Sequence, residues 1–213
     1  MARASRKRRS TPEPVVAVVP RPDRVVAGLA AAGVLVAGYL TWLKLTGAGA
    51  ALCVAGSGCD LVQASRWAIF LGVPTAAWGL AVYVAIAVLA LVGLSARNWL
   101  IAYLLAAGGV GVSIYLTALS VLDVGAACIW CLTSGVILAA LLVALVMRRP
   151  PATPRAPRLR APRLAAYGAS AAVGAVVVGA FVFAAPFSAP PGYQSALARH
   201  LVDRKAVMYG AFW

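Results

Sequence analysis

Five long apolar runs dominate the hydrophobic pattern of this chain. They cover Val25–Leu45, Thr75–Leu94, Trp99–Leu122, Ala127–Met147 and Leu164–Ala185. Each is close to the ~20 residues that cross the ~30 Å hydrocarbon layer of a bilayer. Because the bilayer core holds no water to satisfy backbone polar groups, spans of this length are expected to be helices. The pattern predicts an all-α membrane protein with five transmembrane helices.

The composition supports a membrane environment. Hydrophobic residues make up 63% of the chain and charged residues 11%, and the mean hydropathy is +0.91. A soluble domain is about half apolar and about a quarter charged. The abundance of apolar surface excludes intrinsic disorder, and too few polar side chains remain to cover a water-soluble core. The lipid bilayer is therefore the first expected partner.

The net charge of +14 is concentrated beside the apolar runs. Seven basic residues precede the first run, and six more lie within residues 148–163. The tendency of Lys and Arg to remain in the cytoplasm explains both groups, so no nucleic-acid partner is expected. The same rule places residues 1–24, the turn at 95–98 and residues 148–163 in the cytoplasm. The segment 46–74, the turn at 123–126 and the C-terminus then lie outside.

A Pro- and Arg-rich stretch divides the predicted helices into two groups. Its repeated prolines exclude a helix over residues 148–163. The chain then reads as a basic cytoplasmic tail, a four-helix unit, a cytoplasmic linker, a fifth transmembrane helix and an outer tether. These segments cover residues 1–24, 25–147, 148–163, 164–185 and 186–213. The fifth helix is interpreted as an appendage to the four-helix unit.

All four cysteines fall at the predicted outer boundary. Cys53 and Cys59 lie in the first outer loop, and Cys128 and Cys131 form a Cys-Ile-Trp-Cys motif where the fourth helix starts. The outer side is the oxidising compartment, where disulfides persist. Two static disulfides are one interpretation of this arrangement. The spacing is not a standard zinc pattern and the chain has one histidine, so no metal site is expected.

Dithiol–disulfide exchange is the other interpretation of the cysteines. A Cys-x-x-Cys disulfide closes a very small loop and is more easily reduced than a structural one. At a helix N-terminus the dipole favours the thiolate of the first cysteine and lowers its pKa. The sequence has no Cys-x-x-Cys-His haem motif, dinucleotide-binding glycine pattern or P-loop. By elimination, the expected electron acceptor diffuses in the membrane, and a quinone is the natural candidate.

The order of these motifs resembles the bacterial branch of the vitamin K epoxide reductase family. The resemblance covers about residues 25–147 and rests on the loop cysteine pair, the residues after it, the start of the second helix and the Cys-x-x-Cys motif. In sequence these are Cys53-(5)-Cys59, Asp60-Leu61-Val62, Ser65, Gly72-Val73-Pro74 and Cys128-Ile129-Trp130-Cys131. It implies a four-helix bundle that holds a quinone, either menaquinone or ubiquinone, near the second cysteine of Cys-x-x-Cys.

The resemblance also implies a role for each cysteine. Cys131 would donate electrons to the quinone, and Cys128 would be its partner and exchange with Cys59. Cys53 would take electrons from a thioredoxin-like protein outside the membrane. Ser65 would cap the quinone pocket, with a helix N-cap as the alternative role.

Two tryptophans are assigned to the same quinone pocket. Trp67 and Trp130 would lie near it, although tryptophans at a membrane boundary need no functional explanation.

The last eight residues, 206–213, resemble the strand that leads into a thioredoxin active site. The expectation is that residues 186–213 form an outer tether and the start of a truncated thioredoxin-like domain.

The sequence as a whole predicts a thiol oxidoreductase of the plasma (inner) membrane. It would oxidise a thioredoxin-like protein, either fused downstream or separate, and pass electrons to a membrane quinone, thereby supporting disulfide formation. Two alternatives remain open: a vitamin K epoxide or quinone reductase with no role in protein folding, and a non-enzymatic membrane protein with two static disulfides.

Overall fold

Five helices long and apolar enough to cross a membrane are present in the computed structural model, which describes residues 22–46, 58–150, 160–184, 200 and 204. They are α1 (Arg24–Thr46), α3 (Thr75–Val92), α4 (Ala96–Leu122), α5 (Ile129–Met147) and α6 (Ala161–Ala184). Between α1 and α3 lie a short helix α2 (Gly58–Ala64), a 3-10 helix (Arg66–Ala68) and the strands β1 (Ile69–Phe70) and β2 (Val73–Pro74). The predicted all-α membrane fold is confirmed, and each predicted span matches a long helix to within a few residues.

Helix boundaries follow from local capping chemistry. The carboxylate of Asp23 accepts hydrogen bonds from the backbone N–H groups of Val25 and Val26 at 3.1 and 3.2 Å, which starts α1. Between α3 and α4 the chain turns at Gly93, whose φ of 112° suits a residue without a Cβ. Ser95 then caps α4 by accepting a hydrogen bond from the Asn98 N–H. These caps satisfy backbone groups that a helix end leaves unpaired.

Four of the long helices close into a ring. Helix α1 packs against α3 and α5, and α4 packs against the same two helices. Helix α6 packs on the outside of α4. Small residues bring α4 and α6 together: a Cβ added to Gly111 would lie 2.9 Å from the Cα of Ala172. This close approach is typical of helices that associate inside membranes.

The two ends of the bundle differ in how they are filled. At the end away from Cys59 and Cys128, the largest fully buried side chains interlock. They are Tyr83, Ile86, Leu141, Leu145 and Val26. The indole N–H of Trp99 donates to the carbonyl of Leu145 at 2.8 Å, so α4 is also tied to α5 there. The cysteine-bearing end instead contains a cavity.

An ion pair locks the closed end. Arg148 Nη1 lies 3.1 Å from the carboxylate of Asp23, and the backbone N–H of Asp23 donates to the carbonyl of Ala90. One residue therefore links the start of α1 to the ends of α3 and α5. The Asp23 side chain is only 13% exposed, so this pair is less screened by solvent than an open surface ion pair.

Several predicted features lie outside the described residues. They are Cys53, residues 1–21, most of the 148–163 linker, and residues 205–213, which include the thioredoxin-like strand. The division into segments and the role of Cys53 therefore stay predictions.

A packing prediction follows from Gly33, which accommodates the ring of Tyr83. A Cβ at Gly33 would lie 2.1 Å from that ring, whereas nothing lies within 4 Å of a Cβ at Gly28 on the same helix. Gly33→Ala should destabilise the protein by about 1–3 kcal/mol through overpacking. Gly28→Ala should be neutral or stabilising by up to about 1 kcal/mol, since alanine favours helix. Thermal unfolding midpoints in detergent measure both, and equal midpoints would contradict the packing described.

Candidate functional site

A cavity of about 530 Å³ occupies the cysteine-bearing end of the bundle. All five long helices contribute to its wall, as do α2 and the residues between α2 and α3. Residues 65–74, here called the cap segment, lie across this end. The wall is mainly apolar, with Leu40, Val82, Leu105 and Leu138 among the contributing side chains. Polar side chains on the wall include Lys44 and Ser65.

Cys128 and Cys131 stand on the wall of this cavity, and both carry free thiols. Cys128 is the N-cap residue of α5, and its sulfur accepts a hydrogen bond from the Cys131 N–H at 3.4 Å. Cys131 lies one turn into the helix, so both sulfurs sit at the same helix start. Cys128 is only 2% exposed, so its side chain borders the cavity and not bulk water.

The position of Cys128 lowers the pKa of its thiol from 9.0 to about 6. Hydrogen bonding with the Cys131 side chain is the largest cause; burial opposes it, and the backbone N–H groups of Cys131 and Trp130 add to the lowering. The sequence predicted this direction from the helix N-terminus alone. The structure adds that the partner thiol contributes more than the backbone. The lowered pKa favours the thiolate form of Cys128, which is the form that attacks disulfides.

Cys59 lies on α2, is 6% exposed and is disulfide-bonded, with its partner outside the described residues. The residue before it, Gly58, lies directly against the backbone that leads into the Cys-x-x-Cys motif. A Cβ at Gly58 would be 2.6 Å from the carbonyl oxygen of Ala127. Glycine at this position thus lets the segment bearing Cys59 approach the segment bearing Cys128. The sequence analysis did not single out Gly58, and its only signal was a glycine next to a cysteine.

Ser65 lines the cavity, and its hydroxyl donates to the carbonyl of Val62 at 2.7 Å. Ser65 also occupies the N-cap position of the 3-10 helix, but its side chain makes no capping bond there. Its hydroxyl oxygen therefore retains acceptor capacity at the cavity wall.

The two predicted tryptophans separate in the structure. Trp67 lines the cavity, and its indole N–H donates to the carboxylate of Asp123 at 2.8 Å. Arg66 joins the same carboxylate at 3.5 Å and stacks over the Trp67 ring at 4.3 Å. Trp130 is not among the cavity-lining side chains, and its ring packs against Tyr39 with centroids 5.1 Å apart. Of the two predicted tryptophans, Trp67 is the one on the cavity wall, and the role of each toward a quinone stays a prediction.

A small hairpin gives the cap segment a defined shape. Strands β1 and β2 pair antiparallel across a turn at Leu71 and Gly72, both with positive φ. The hydroxyl of Thr75 donates to the carbonyl of Trp67 at 2.9 Å, which anchors the cap to the start of α3. Residues 72–74 were expected at the start of the second helix, but Val73 and Pro74 form β2 and the helix begins at Thr75. Runs of two residues are too short to show strand alternation in the sequence.

Two further contributors to the wall were not predicted. The Nζ of Lys44 donates to the carbonyl of Gln63 at 2.5 Å and joins α1 to α2 beside the cavity. Five residues of α6 also line the cavity, so α6 is not merely an appendage; they are Ala171, Ala175, Val178, Gly179 and Phe183. Side chains that face the lipid and side chains that face the cavity are both apolar. The hydrophobic pattern therefore did not show that α6 lines the cavity.

Together, the membrane helix bundle carries a Cys-x-x-Cys pair and a further, disulfide-bonded cysteine at one end of the described part of the chain. A family model, described as the vitamin K epoxide reductase family, matches residues 24–146, which is more than half of the chain. The chain belongs to the vitamin K epoxide reductase family. It is a multi-pass membrane protein and an oxidoreductase of a quinone-linked family.

The described cavity suits a quinone. Apolar side chains of four bundle helices surround it, and Cys131, Ser65 and Trp67 place a thiol, a hydroxyl and an aromatic ring on its wall. A mostly apolar cavity with a few converging polar groups is what small-molecule sites contain. A quinone bound here would supply an acceptor for two electrons and two protons.

The lowered pKa of Cys128 predicts the pH dependence of its alkylation. The thiol should react slowly below about pH 6 and fast above it, because only the thiolate attacks. Cys131→Ala removes the largest cause of the lowering, so the midpoint should move to higher pH. Cys131→Ser keeps a side-chain hydrogen-bond donor and should retain a lower midpoint. Mass spectrometry of Cys128 after iodoacetamide pulses at several pH values measures both, and identical profiles would contradict the assigned cause.

Proposed function

We propose that this protein oxidises a thioredoxin-like protein outside the cytoplasm and passes the electrons to a membrane quinone, either menaquinone or ubiquinone, which supports disulfide formation. One observation carries the proposal. A free Cys-x-x-Cys pair lines an apolar cavity, while a bonded Cys59 lies on a helix packed against the segment that leads into that pair. The overall reaction is dithiol plus quinone giving disulfide plus quinol.

The loop pair would act first. Cys53 is the one cysteine of the sequence outside the described residues, so we assign it as the partner of Cys59. A thiolate of the protein substrate would attack Cys53 and release Cys59 as the leaving thiolate. The second thiol of the substrate would then displace Cys53, and the substrate would leave with a disulfide. The loop pair would be left as two thiols.

The Cys-x-x-Cys pair would act second. The loop dithiol would reduce the Cys128–Cys131 disulfide by exchange through Cys128, which restores the Cys53–Cys59 disulfide and leaves both other cysteines as thiols. Oxidation of the Cys128–Cys131 dithiol then releases two electrons and two protons to the acceptor.

Two static disulfides, the alternative left open by the sequence, would require both cysteine pairs to be bonded. Cys128 and Cys131 lie three residues apart at one helix start on a cavity wall, so a permanent bond between them would tie no distant elements together. The low pKa of Cys128 also suits exchange rather than a permanent bond.

The distribution of positive charge supports an orientation for the exchange. Among described residues at the helix ends, the closed end carries six arginines, whereas the cysteine-bearing end carries Lys44 and Arg66. The six are Arg24, Arg97, Arg148, Arg149, Arg160 and Arg163. Basic residues accumulate on the cytoplasmic side, so the cysteines would face outward from the plasma membrane. Disulfides persist in that compartment.

The electron path predicts different outcomes for two cysteine variants. Cys131→Ser should abolish quinone reduction with either a thioredoxin-like dithiol or dithiothreitol, because the electron donor to the quinone is lost while serine is nearly isosteric. The absorbance change of quinone reduction measures this. Retained turnover with dithiothreitol would overturn the role of Cys131.

Cys53→Ser is the matched comparison. It should block the protein substrate, whereas dithiothreitol, which reaches Cys128 and Cys131 directly, should still support turnover. Equal loss with both reductants would mean that Cys53 has a structural role or that small thiols also enter through the loop pair.

The proposed orientation predicts the outcome of reporter fusions and thiol labelling. Reporters placed in residues 1–22 and 148–163 should report a cytoplasmic location, and residues 46–74 should be accessible from outside. A cytoplasmic Cys53 would place the loop pair in a reducing compartment and would end the proposal of disulfide formation.

A further inference from the structure

We propose that the fifth membrane helix completes the quinone site: the seam between α4 and α6 binds the isoprenoid tail, and Phe183 closes that seam at the cysteine-bearing end. The inference rests on the proposed quinone-linked function and extends it to the part of the ligand that the four-helix ring does not enclose. It assigns a binding role to α6 and names a residue on it.

The cavity reaches different depths along different helices. On α1 it extends from Lys44 only to Ala37, and on α5 from Cys131 to Leu138. On α4 it extends from Ser120 to Leu104, which is about 24 Å of helix at 1.5 Å per residue. The deep part of the cavity therefore follows α4.

Helix α6 follows this deep part on the opposite side. Its cavity-lining residues run from Ala171 to Phe183, which is about 18 Å of helix. They recur every three or four positions and so form one stripe of the helix. The part of the cavity that borders α6 is thus long, and the α6 residues that line it are apolar, while the thiols and Ser65 lie on other elements of the wall. A quinone has the same division into a polar ring and a long apolar tail.

Small residues bring α4 and α6 into direct contact, so the tail would lie in the groove beside this line of contact and not between the two backbones. A Cβ at Gly108 would lie 3.6 Å from the Cβ of Ala175, and Gly111 contacts Ala172 more closely still. These contacts hold α6 at a fixed distance from α4. Val178 lines the cavity and is also 60% exposed, so the seam opens toward the lipid at this point. A ligand dissolved in the bilayer has a direct path to it.

Phe183 connects α6 to the cap segment. Its ring meets Trp67 and Phe70 edge-on, with centroids 5.1 and 5.2 Å apart. All three rings line the cavity. The helix therefore contributes a side chain to an aromatic cluster that also includes a cap residue assigned to the quinone pocket. Phe181, two residues earlier, is 75% exposed and lies outside the cavity wall, which makes it a matched control.

The test measures binding without turnover. The purified full chain is titrated in detergent with a tail-less quinone and with one that carries four isoprene units, and tryptophan fluorescence quenching reports binding. Phe183→Ala should weaken binding of the long-tailed quinone about tenfold, because buried aromatic contact is lost. It should weaken binding of the tail-less quinone by a smaller factor, because Phe183 also contacts Trp67 at the cysteine-bearing end. Phe181→Ala should change neither.

A second pair of variants narrows the seam without touching the aromatic cluster. Ala175→Leu should reject the long-tailed quinone and leave binding of the tail-less one intact. Ala169→Leu lies on an exposed position of the same helix outside the cavity wall and should behave as the wild-type protein. Thermal unfolding midpoints check that each variant is folded. If Ala175→Leu does not fold, Phe183→Ala decides, since it only removes atoms.

The outcomes separate this inference from the proposed function. If the wild-type chain binds neither quinone, the proposed function fails and the inference fails with it. If it binds both and the Phe183 and Ala175 variants match it, the proposed function stands and the tail assignment is overturned. If these variants weaken the binding of both quinones equally, α6 contacts the quinone ring and not its tail. That result also overturns the assignment.

Discussion

The packing of Tyr83 between α1 and α5 limits the depth of the cavity along α1 and α3. Its ring occupies the space that a side chain at Gly33 would fill, and its hydroxyl bonds to the carbonyl and hydroxyl of Ser134 at 2.7 and 2.9 Å. Because no water is available at this depth, the hydroxyl must find a protein partner. Away from the cysteines the bundle is tightly packed, and Ser134, Leu138 and Val82 line the cavity that begins here.

Cys128 has two functions in this arrangement. As the N-cap of α5 it accepts a hydrogen bond from the Cys131 backbone N–H, and that bond adds to the larger effect of the Cys131 side chain in lowering the pKa of its thiol. The capping interaction stabilises the thiolate, so helix stability and nucleophilicity are coupled at one sulfur. The close approach at Gly58 brings the other cysteine segment to this point, and the Asp123 carboxylate holds the cap segment through Arg66 and Trp67. The exchange chemistry therefore depends on backbone packing as much as on the cysteines.

The α6 helix shows why a membrane fold is harder to interpret from pattern than a soluble one. In water, an apolar stripe would mark the buried face of a helix. In lipid, both faces are apolar, since Phe181 faces outward and Phe183 faces the cavity. The family match ends at residue 146, so it does not cover α6 either. Only contacts in three dimensions reveal that α6 borders the site.

The sequence by itself determined the membrane class, the five spans, the two cysteine pairs and the family, because hydrophobic length and cysteine spacing are local properties. It also indicated Ser65 and Trp67 as cavity residues. It did not distinguish Trp67 from Trp130, find Gly58 or Lys44, or assign α6 to the wall. Those facts depend on which faces of separate helices meet, and helix rotation and approach are set by packing between distant residues. Only the tertiary structure decided them.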